Sequence, residues 1–242
     1  MAALSFQIKF FFLWFCLAST VEGMSHKIDR SFKLIFWGAE LGEFNVKGKI
    51  YDNKYEVSTE ASGKSIIRFF SRFKISSGAI GNINDREELI PIQSMTKWNT
   101  RGKFRQTQLR YDDGKLIQFD ASPELIKDFH IKNPIGSSNT IDPVSLVLEL
   151  LIKRAENKIC EKKLIILDGF RMSELSFETK SNFQDRIICS GKIKRSQGFK
   201  PSDLAKKPLK FKIVYSLINM NNFDLSRVEI ETIFGKMVLK SF

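Results

Sequence analysis

Cysteines are the first residues in this chain whose type and spacing suggest chemistry. The 242 residues include three cysteines. Cys16 lies inside an apolar N-terminal run that is typical of an export signal, which leaves Cys160 and Cys189 as a pair. Two thiols behind an export signal favour a disulfide in an oxidising compartment over a metal site or a catalytic thiol. Two unpaired buried thiols are the alternative.

Histidines and sequence motifs offer little support for catalysis. His26 lies just after the N-terminal run, and His130 stands alone before a loop rich in Asn, Gly and Ser. A catalytic triad or a zinc site needs partners at workable spacing, and neither histidine has them. The sequence contains no CxxC pair, metalloprotease motif or glycine-rich phosphate loop. We therefore expect a protein that is not an enzyme and that holds no metal or cofactor.

Two acidic pairs and two tryptophans are the remaining candidates for a site. Asp112-Asp113 precedes Gly114, which is typical of a hairpin turn. Glu87-Glu88 lies in a polar connection, and nothing favours a glycosidase-like pair of carboxylates. Trp37 and Trp98 are candidate ligand platforms, although a half-buried structural role is the commoner use of such aromatic side chains.

The N-terminal segment predicts export. Residues 10–18 form an unbroken apolar run behind Lys9. The run has the length of a signal-peptide core and falls short of the roughly 20 residues that span a bilayer. Small residues place cleavage near Gly23. We predict a signal peptide over residues 1–23 and a mature chain without a transmembrane span; an uncleaved anchor or a buried strand is the alternative.

The net charge and the aromatic content limit the kinds of partner that this protein could bind. The net charge is +12, and since Lys9 and Glu22 cancel, all of it belongs to the chain after residue 23. A basic surface attracts polyanions, and for an exported protein these are anionic lipid, lipopolysaccharide or cell-wall polymer, not nucleic acid. A solvated lysine-rich surface is the alternative. The 22 phenylalanines belong in a core or in an apolar cavity.

The hydrophobic pattern predicts one mainly β domain over residues 24–242. Short alternating runs between turn residues favour an antiparallel meander that forms a strongly curved sheet or half-barrel. Asp168-Gly169 is the predicted turn of one hairpin. Asp142-Pro143 places a capping side chain before a proline at the first helical position. The apolar residues that follow predict a buried helix over residues 142–156, against the concave side of the sheet.

The order of several motifs resembles a known family. They are Trp98, Tyr111-Asp112-Asp113-Gly114, Asp142-Pro143 with Ser145-Leu146 opening a helix, Cys160, Leu167-Asp168-Gly169 and Cys189-Ser190-Gly191. Across about residues 44–238 this order is similar to the bacterial domain-of-unknown-function family 3108, exported proteins of Gram-negative bacteria. The chain carries Lys, Ile and Phe where relatives tend to carry Arg, Leu and Ala.

The resemblance implies a periplasmic protein without an assigned activity. It implies that Cys160 and Cys189 form the disulfide and that Asp168-Gly169 is the hairpin turn. By analogy of fold, such a sheet is similar to the half-barrels of periplasmic lipoprotein-localisation carriers, which hold acyl chains.

Two functions follow as hypotheses. The first is a non-enzymatic binding or carrier module for an apolar or amphiphilic envelope ligand, such as a lipid or a lipoprotein acyl chain. The alternative is a structural or interaction protein with a solid core that binds an envelope protein or cell-wall partner. Whether the helix fills the concave face or leaves a cavity distinguishes them.

Overall fold

The computed structural model describes residues 25–63, 73–100, 103–122, 133–152, 156–219, 222–232 and 235–242. The predicted signal peptide, its cleavage site near Gly23 and His130 lie outside these residues. No helix in the described part of the chain combines the length and apolar character needed to cross a membrane.

The described residues form fourteen strands and short helical segments. The first seven strands are β1 (His26–Phe36), β2 (Ala39–Tyr51), β3 (Lys54–Gly63), β4 (Phe73–Ile83), β5 (Leu89–Thr100), β6 (Lys103–Asp112) and β7 (Lys115–Ser122). The others are β8 (Thr140–Ile141), β9 (Leu164–Leu167), β10 (Met172–Asn182), β11 (Arg186–Gln197), β12 (Leu209–Asn219), β13 (Asn222–Thr232) and β14 (Gly235–Ser241). The helices are α1 (Pro143–Leu151) and α2 (Pro201–Leu204), and Glu156–Lys158 forms a 3-10 turn.

All fourteen strands belong to one sheet, which confirms the predicted mainly β, strongly curved antiparallel architecture. Neighbouring strands in the sheet follow chain order within β1–β7 and within β8–β14. The two runs join because β1 pairs with β14, for example Leu34 with Leu239. The sheet is therefore two meanders side by side, and the first strand lies at its centre. The pair β8–β9 is parallel, with α1 in the crossover between them.

The two edges of the sheet meet, so the sheet is a nearly closed barrel. Leu116 on β7 donates its N–H to the carbonyl of Ser137 and accepts from the N–H of Gly136, both at 2.8 Å. Beside these bonds, the ring of Phe119 on β7 packs edge-on against Phe170, at 5.2 Å between centroids. Two backbone hydrogen bonds and one aromatic contact thus join β7 to the segment that leads into β8 and to the β9–β10 turn.

Helix α1 lies inside the barrel, as the apolar pattern predicts. Leu148 is fully buried and belongs to the core with inward side chains of β1 to β5 and β10 to β13. A Cβ placed on Gly48 of β2 would lie 3.7 Å from Leu148 Cδ1, so the helix packs close to the wall. Beside the C-terminal end of α1, described residues enclose a cavity of about 30 Å³. The helix therefore fills the concave face at this level.

The helix is shorter than predicted. It ends at Leu151, and Ile152 takes an extended conformation instead of continuing toward residue 156. The apolar sequence also ends at Ile152, and the residues that follow are mostly charged. The helix buries one charged side chain, Glu149, and this charge is paired with Lys162 at 3.1 Å, since burying an unpaired charge is costly.

Candidate functional site

An open groove of about 670 Å³ crosses the outer face of β2, β3, β4 and β5. We call it the outer groove. Its central row runs from Lys47 through Ser58 and Gly78 to Met95, residues that lie opposite one another on adjacent strands. Their chain neighbours Val57 and Ala79 are buried in the core. Because side chains alternate along a strand, this row faces outward.

Small side chains form the floor of the outer groove. Ser58, Ser76 and Gly78 lie at its centre, where larger residues would fill the depression. A Cβ added to Gly78 would meet only the Val57 carbonyl oxygen, at 3.7 Å, so the backbone does not require glycine here. The missing side chain of Gly78 is therefore part of what leaves the groove open.

The rim of the outer groove is basic with an apolar part. Lys47 and Lys49 of β2 line one side, and Lys97 of β5 lines the other. Ile80 and Met95 contribute apolar surface between them. Among the described lining residues Glu56 is the single acid. The rim thus combines positive charge with apolar contact area.

Two rim residues are held by local interactions. Lys49 Nζ lies 4.6 Å above the centre of the Tyr51 ring. The Tyr51 hydroxyl donates to Glu56 Oε1 at 2.6 Å. This hydrogen bond, with smaller contributions from burial and nearby acids, raises the pKa of Tyr51. Tyr51 therefore stays neutral, and its hydroxyl remains hydrogen-bonded to Glu56, the single acid among the described lining residues.

A second polar cluster lies inside the barrel at the start of α1. Asp142 caps the helix, because Oδ1 accepts from the N–H groups of Val144 at 2.9 Å and Ser145 at 3.0 Å. The Ser145 hydroxyl donates to Asp142 Oδ2 at 2.6 Å and lies 2.8 Å from the Tyr55 hydroxyl. Burial raises the pKa of Asp142. Asp142, Ser145 and Tyr55 are fully buried, so a substrate has no access to them.

Near this cluster lie two further buried hydroxyls. They belong to Tyr111 of β6 and Thr140 of β8, and both atoms are enclosed by described residues. Burial raises the pKa of Tyr111, and Asp142 raises it further. The cluster therefore consists of neutral hydroxyls around one carboxyl group, an arrangement that orients α1 in the barrel.

The cysteines form a disulfide. The Cα atoms of Cys160 and Cys189 are 5.7 Å apart. Cys160 follows the 3-10 turn beyond α1, and Cys189 is fully buried on the inner face of β11. The bridge thus ties the return segment after the helix to the barrel wall and leaves no free thiol at these positions.

The predicted hairpin turn occupies residues 168–171. Asp168 Oδ1 accepts from the N–H groups of Phe170 at 2.8 Å and Arg171 at 2.7 Å. Gly169 has a φ of +95°, which favours glycine. A Cβ there would come within 2.7 Å of the Phe119 ring, so the turn packs directly on β7.

The tryptophans and acidic pairs do not converge. Trp37 is 77 % exposed in the β1–β2 turn, whereas Trp98 is partly buried and lies opposite Ile75 on β4. Glu87 binds Lys158 at 2.8 Å, and Asp113 has the left-handed backbone of a turn. No group of three His, Cys, Asp or Glu side chains in the described ranges is placed to hold a metal.

The outer groove was missed from the sequence. Lys47 and Lys49 alternate, and Ser76 and Gly78 alternate, but each pattern alone is typical of any half-exposed strand. The signal becomes visible only when strand register aligns Ser58 with Gly78.

The nearly closed sheet with an internal helix defines the class: a β-barrel-like protein. No family model and no curated protein match the chain. Among solved structures, it is similar to the crystal structure of a β-barrel-like protein of domain of unknown function DUF1849 from Brucella abortus. The TM-score is 0.52 at 10 % identity, over 89 % of this chain and 95 % of that one. At this identity the likeness shows a shared fold.

Proposed function

We propose that this protein is a non-enzymatic binding module of the bacterial periplasm, whose ligand is an anionic amphiphile of the cell envelope held in the outer groove. The single observation that carries the proposal is the groove itself, with a floor of small residues between basic strands. The compartment rests on the predicted signal peptide and the disulfide. Membership of family 3108 is part of this proposal and rests on motif order alone, since no family model matches.

The physical fit supports an anionic amphiphile. A volume of about 670 Å³ falls within the usual range for small-molecule sites, roughly 300–1,000 Å³. Lys47, Lys49 and Lys97 approach from both sides and favour a phosphate or carboxylate group. Ile80 and Met95 offer contact area for the first methylene groups of an acyl chain. The groove replaces the lumen as the proposed site because the buried face of α1 packs with inward side chains of the sheet.

The filled core also favours the second hypothesis, an envelope interaction protein. An extended acidic peptide of a partner would use the same lysines. The groove lies on the face of paired strands and not at a sheet edge, so such a peptide would bind through side chains without backbone pairing.

Gly78→Leu tests the role of the groove. The added side chain would project into the groove without meeting the barrel interior, since a Cβ at Gly78 contacts only the Val57 carbonyl. The probe is dihexanoyl phosphatidylglycerol below its micelle concentration, with dihexanoyl phosphatidylcholine for comparison, measured by calorimetry. We expect the anionic lipid to bind at least tenfold more tightly, and Gly78→Leu to weaken it at least tenfold.

Ser190→Leu is the matched control. Ser190 lies on the outer face of β11 beside buried Cys189. Ser190→Leu therefore places the same side chain on the outer surface away from the groove and should leave binding unchanged. Equal binding of both lipids, or full binding by Gly78→Leu, would refute the lipid site. Binding of an acidic peptide in place of lipid, lost in Gly78→Leu, would support the interaction protein instead.

A further inference from the structure

The two ends of the barrel carry different residues. Strand directions alternate, so the connections β1–β2, β5–β6, β9–β10 and β11–β12 lie at one end, where Asp168 and Arg171 of the β9–β10 turn balance each other in charge. The connections β2–β3, β4–β5, β6–β7 and β10–β11 lie at the other. We call the first the basic end and the second the acidic end, for the charges described below. Neither end overlaps the outer groove.

Three large apolar side chains are exposed at the basic end. Trp37 is 77 % exposed, Phe104 52 % and Leu204 44 %. In the sheet, β3 to β5 lie between the Trp37 hairpin and the strand of Phe104, and β14 and β13 lie between that hairpin and the β11–β12 connection that carries Leu204. Since at least two strands intervene in each direction, the three side chains are spread around the rim and do not cover one another.

Trp37 is exposed at a position that does not suit its residue type. Its φ is +50°, and Gly38 follows at +79°. Such two-residue hairpin turns favour Asn or Asp followed by Gly, because a bulky residue is strained there. The indole stacks on Phe36 at 5.1 Å and lies over Gly235, where a Cβ would fall 2.1 Å from Nε1. The ring is therefore held in place while its outer face remains open to solvent.

Cations accompany these apolar side chains. Lys103 precedes Phe104, and Lys200, Lys206 and Lys207 surround Leu204 in sequence. Asp203 neutralises one of them, since it accepts from Lys206 Nζ at 2.5 Å. The β11–β12 connection therefore keeps a positive balance next to its exposed leucine.

The opposite end also exposes apolar side chains, namely Phe183, Leu217 and Ile218, but it carries acids, so charge distinguishes the two ends. Each described connection there contains an acidic residue: Asp52, Asp85, Asp113 and Asp185. Arg186 and Lys158 offset part of this charge, through ion pairs with Asp185 and Glu87. An anionic surface would repel this end and attract the other, so charge alone would orient the molecule.

We propose that the basic end docks on the surface of an anionic lipid bilayer, with Trp37, Phe104 and Leu204 entering the interfacial layer. Tryptophan is favoured at this depth because its ring is apolar and its N–H reaches water. Lysines near the surface add attraction to anionic head groups. Each apolar contact is small, so docking is peripheral and reversible, and it is independent of ligand binding in the outer groove.

Vesicle flotation tests the docking. Purified wild-type protein is mixed with phosphatidylcholine vesicles or with vesicles containing 30 % phosphatidylglycerol. We expect at least tenfold stronger partition onto the anionic vesicles, weakened several-fold by 0.5 M salt because the attraction is screened. Equal partition onto both vesicles would overturn the proposal.

Variants locate the surface. Asparagine suits the left-handed turn, so Trp37→Asn should retain the fold. The triple variant, which combines Trp37→Asn with Phe104→Ser and Leu204→Ser, should reduce partition onto anionic vesicles at least tenfold. Phe183→Ser is the matched control, since Phe183 is 54 % exposed at the acidic end, and it should bind like wild type. Full binding by the triple variant, or equal loss in Phe183→Ser, would refute docking by the basic end.

Two readouts separate docking from groove binding. Gly78→Leu should partition onto vesicles like wild type, and loss of partition in Gly78→Leu with retention in the triple variant would refute the proposal. The emission spectrum of Trp37, obtained by subtracting the spectrum of Trp37→Asn from that of wild type, should shift to the blue on anionic vesicles. An unshifted difference would show that Trp37 stays in water.

Discussion

Asp142 shows how one buried residue combines local and tertiary roles. Its carboxylate caps α1 through two backbone N–H groups and one hydroxyl. Burial raises the pKa of Asp142, and the hydrogen bonds offset only part of that effect. The folded protein therefore binds a proton on Asp142 more tightly than the unfolded chain does.

Asp142→Asn should change the pH dependence of stability. The stabilising effect of protonation is complete below the ordinary pKa of 3.8 and is lost as pH rises through the higher pKa of the folded state. Asparagine still caps the helix but does not titrate there. The free energy of unfolding of wild type, relative to Asp142→Asn, should therefore fall as pH rises above 3.8.

Urea unfolding at several pH values measures this difference. Asp142→Ala is the control, because it removes the cap together with the titrating group: relative to Asp142→Asn it should cost about 1–2 kcal/mol at every pH. A wild-type advantage over Asp142→Asn that is constant, or that grows with pH, would contradict a raised pKa for Asp142.

Among the elements, α1 and the segment after it depend on the disulfide. Cys160 and Cys189 are 29 positions apart, and the loop between them contains β9 and β10. Strand β9 has only four residues, and β8 has two. Such short strands contribute few hydrogen bonds, so the bridge contributes much of what holds this edge of the sheet to the helix.

Loss of the disulfide should destabilise this edge first. The chain-entropy relation suggests about 3.5 kcal/mol of stabilisation for a loop of this length. Reduction of wild type, and the variant Cys160→Ala with Cys189→Ala, should both lower the free energy of unfolding by about this amount. Hydrogen exchange should accelerate between residues 150 and 191 before it does in β1 to β4.

Reduction of wild type serves as the control for the substitutions, since it leaves both side chains in place. If exchange accelerates equally in β1 to β4, or if reduction leaves exchange and the free energy of unfolding unchanged, the bridge does not hold this segment.

At the scale of the whole molecule, the barrel is closed at two places of different strength. The pair β1–β14 joins the two meanders by regular backbone pairing. The edges β7 and β8 meet through one isolated bridge, between Lys115 and Ser138. Beyond that bridge, contacts of Phe119 with Gly169 and Phe170 complete the closure. We expect the barrel to open first at this second seam.

Gly169→Ala should weaken the second seam more than backbone strain explains. Gly169 and Gly38 both have left-handed backbones, so alanine at either should cost about 1 kcal/mol or more. At Gly38 a Cβ meets nothing within 4 Å, whereas at Gly169 it lies 2.7 Å from Phe119. Gly169→Ala should therefore cost about 1–3 kcal/mol more than Gly38→Ala, as overpacking does.

A double-mutant cycle checks the origin of this excess. In a Phe119→Ala background the cost of Gly169→Ala should fall to that of Gly38→Ala, measured by chemical unfolding. An excess that survives the loss of the Phe119 ring would place the strain in the turn and not in the seam.

Local features of the fold were predictable from the sequence. Alternating side chains predict strands, and Asp142-Pro143 marks the start of a helix, because both depend on residues close together in the chain. The end of α1 was predicted less well. The sequence beyond it still fits a helical pattern, but Ile152 takes an extended backbone and the helix ends at Leu151.

The cysteines and the tryptophans also differ in how far the sequence predicts their structural role. The pairing of Cys160 with Cys189 follows from their number once Cys16 is set aside. The position of the Trp37 ring does not follow from the sequence, since the ring lies over Gly235 on β14, which is far away along the chain. A half-buried role was the expectation, and the turn places the indole in solvent instead.

The residues alone predict the strands, the helix start, the basic charge and the pair of thiols, because each is a property of a short segment or of composition. Three features emerge only in the folded chain: β1 pairs with β14, α1 packs inside the barrel, and Ser58 lies beside Gly78 in the outer groove. These features depend on register between distant strands, and a shift of one residue would turn Gly78 inward. The disulfide holds the segment after the helix to the barrel wall, as the pair of thiols predicts, while the outer groove lies on the outside of the barrel.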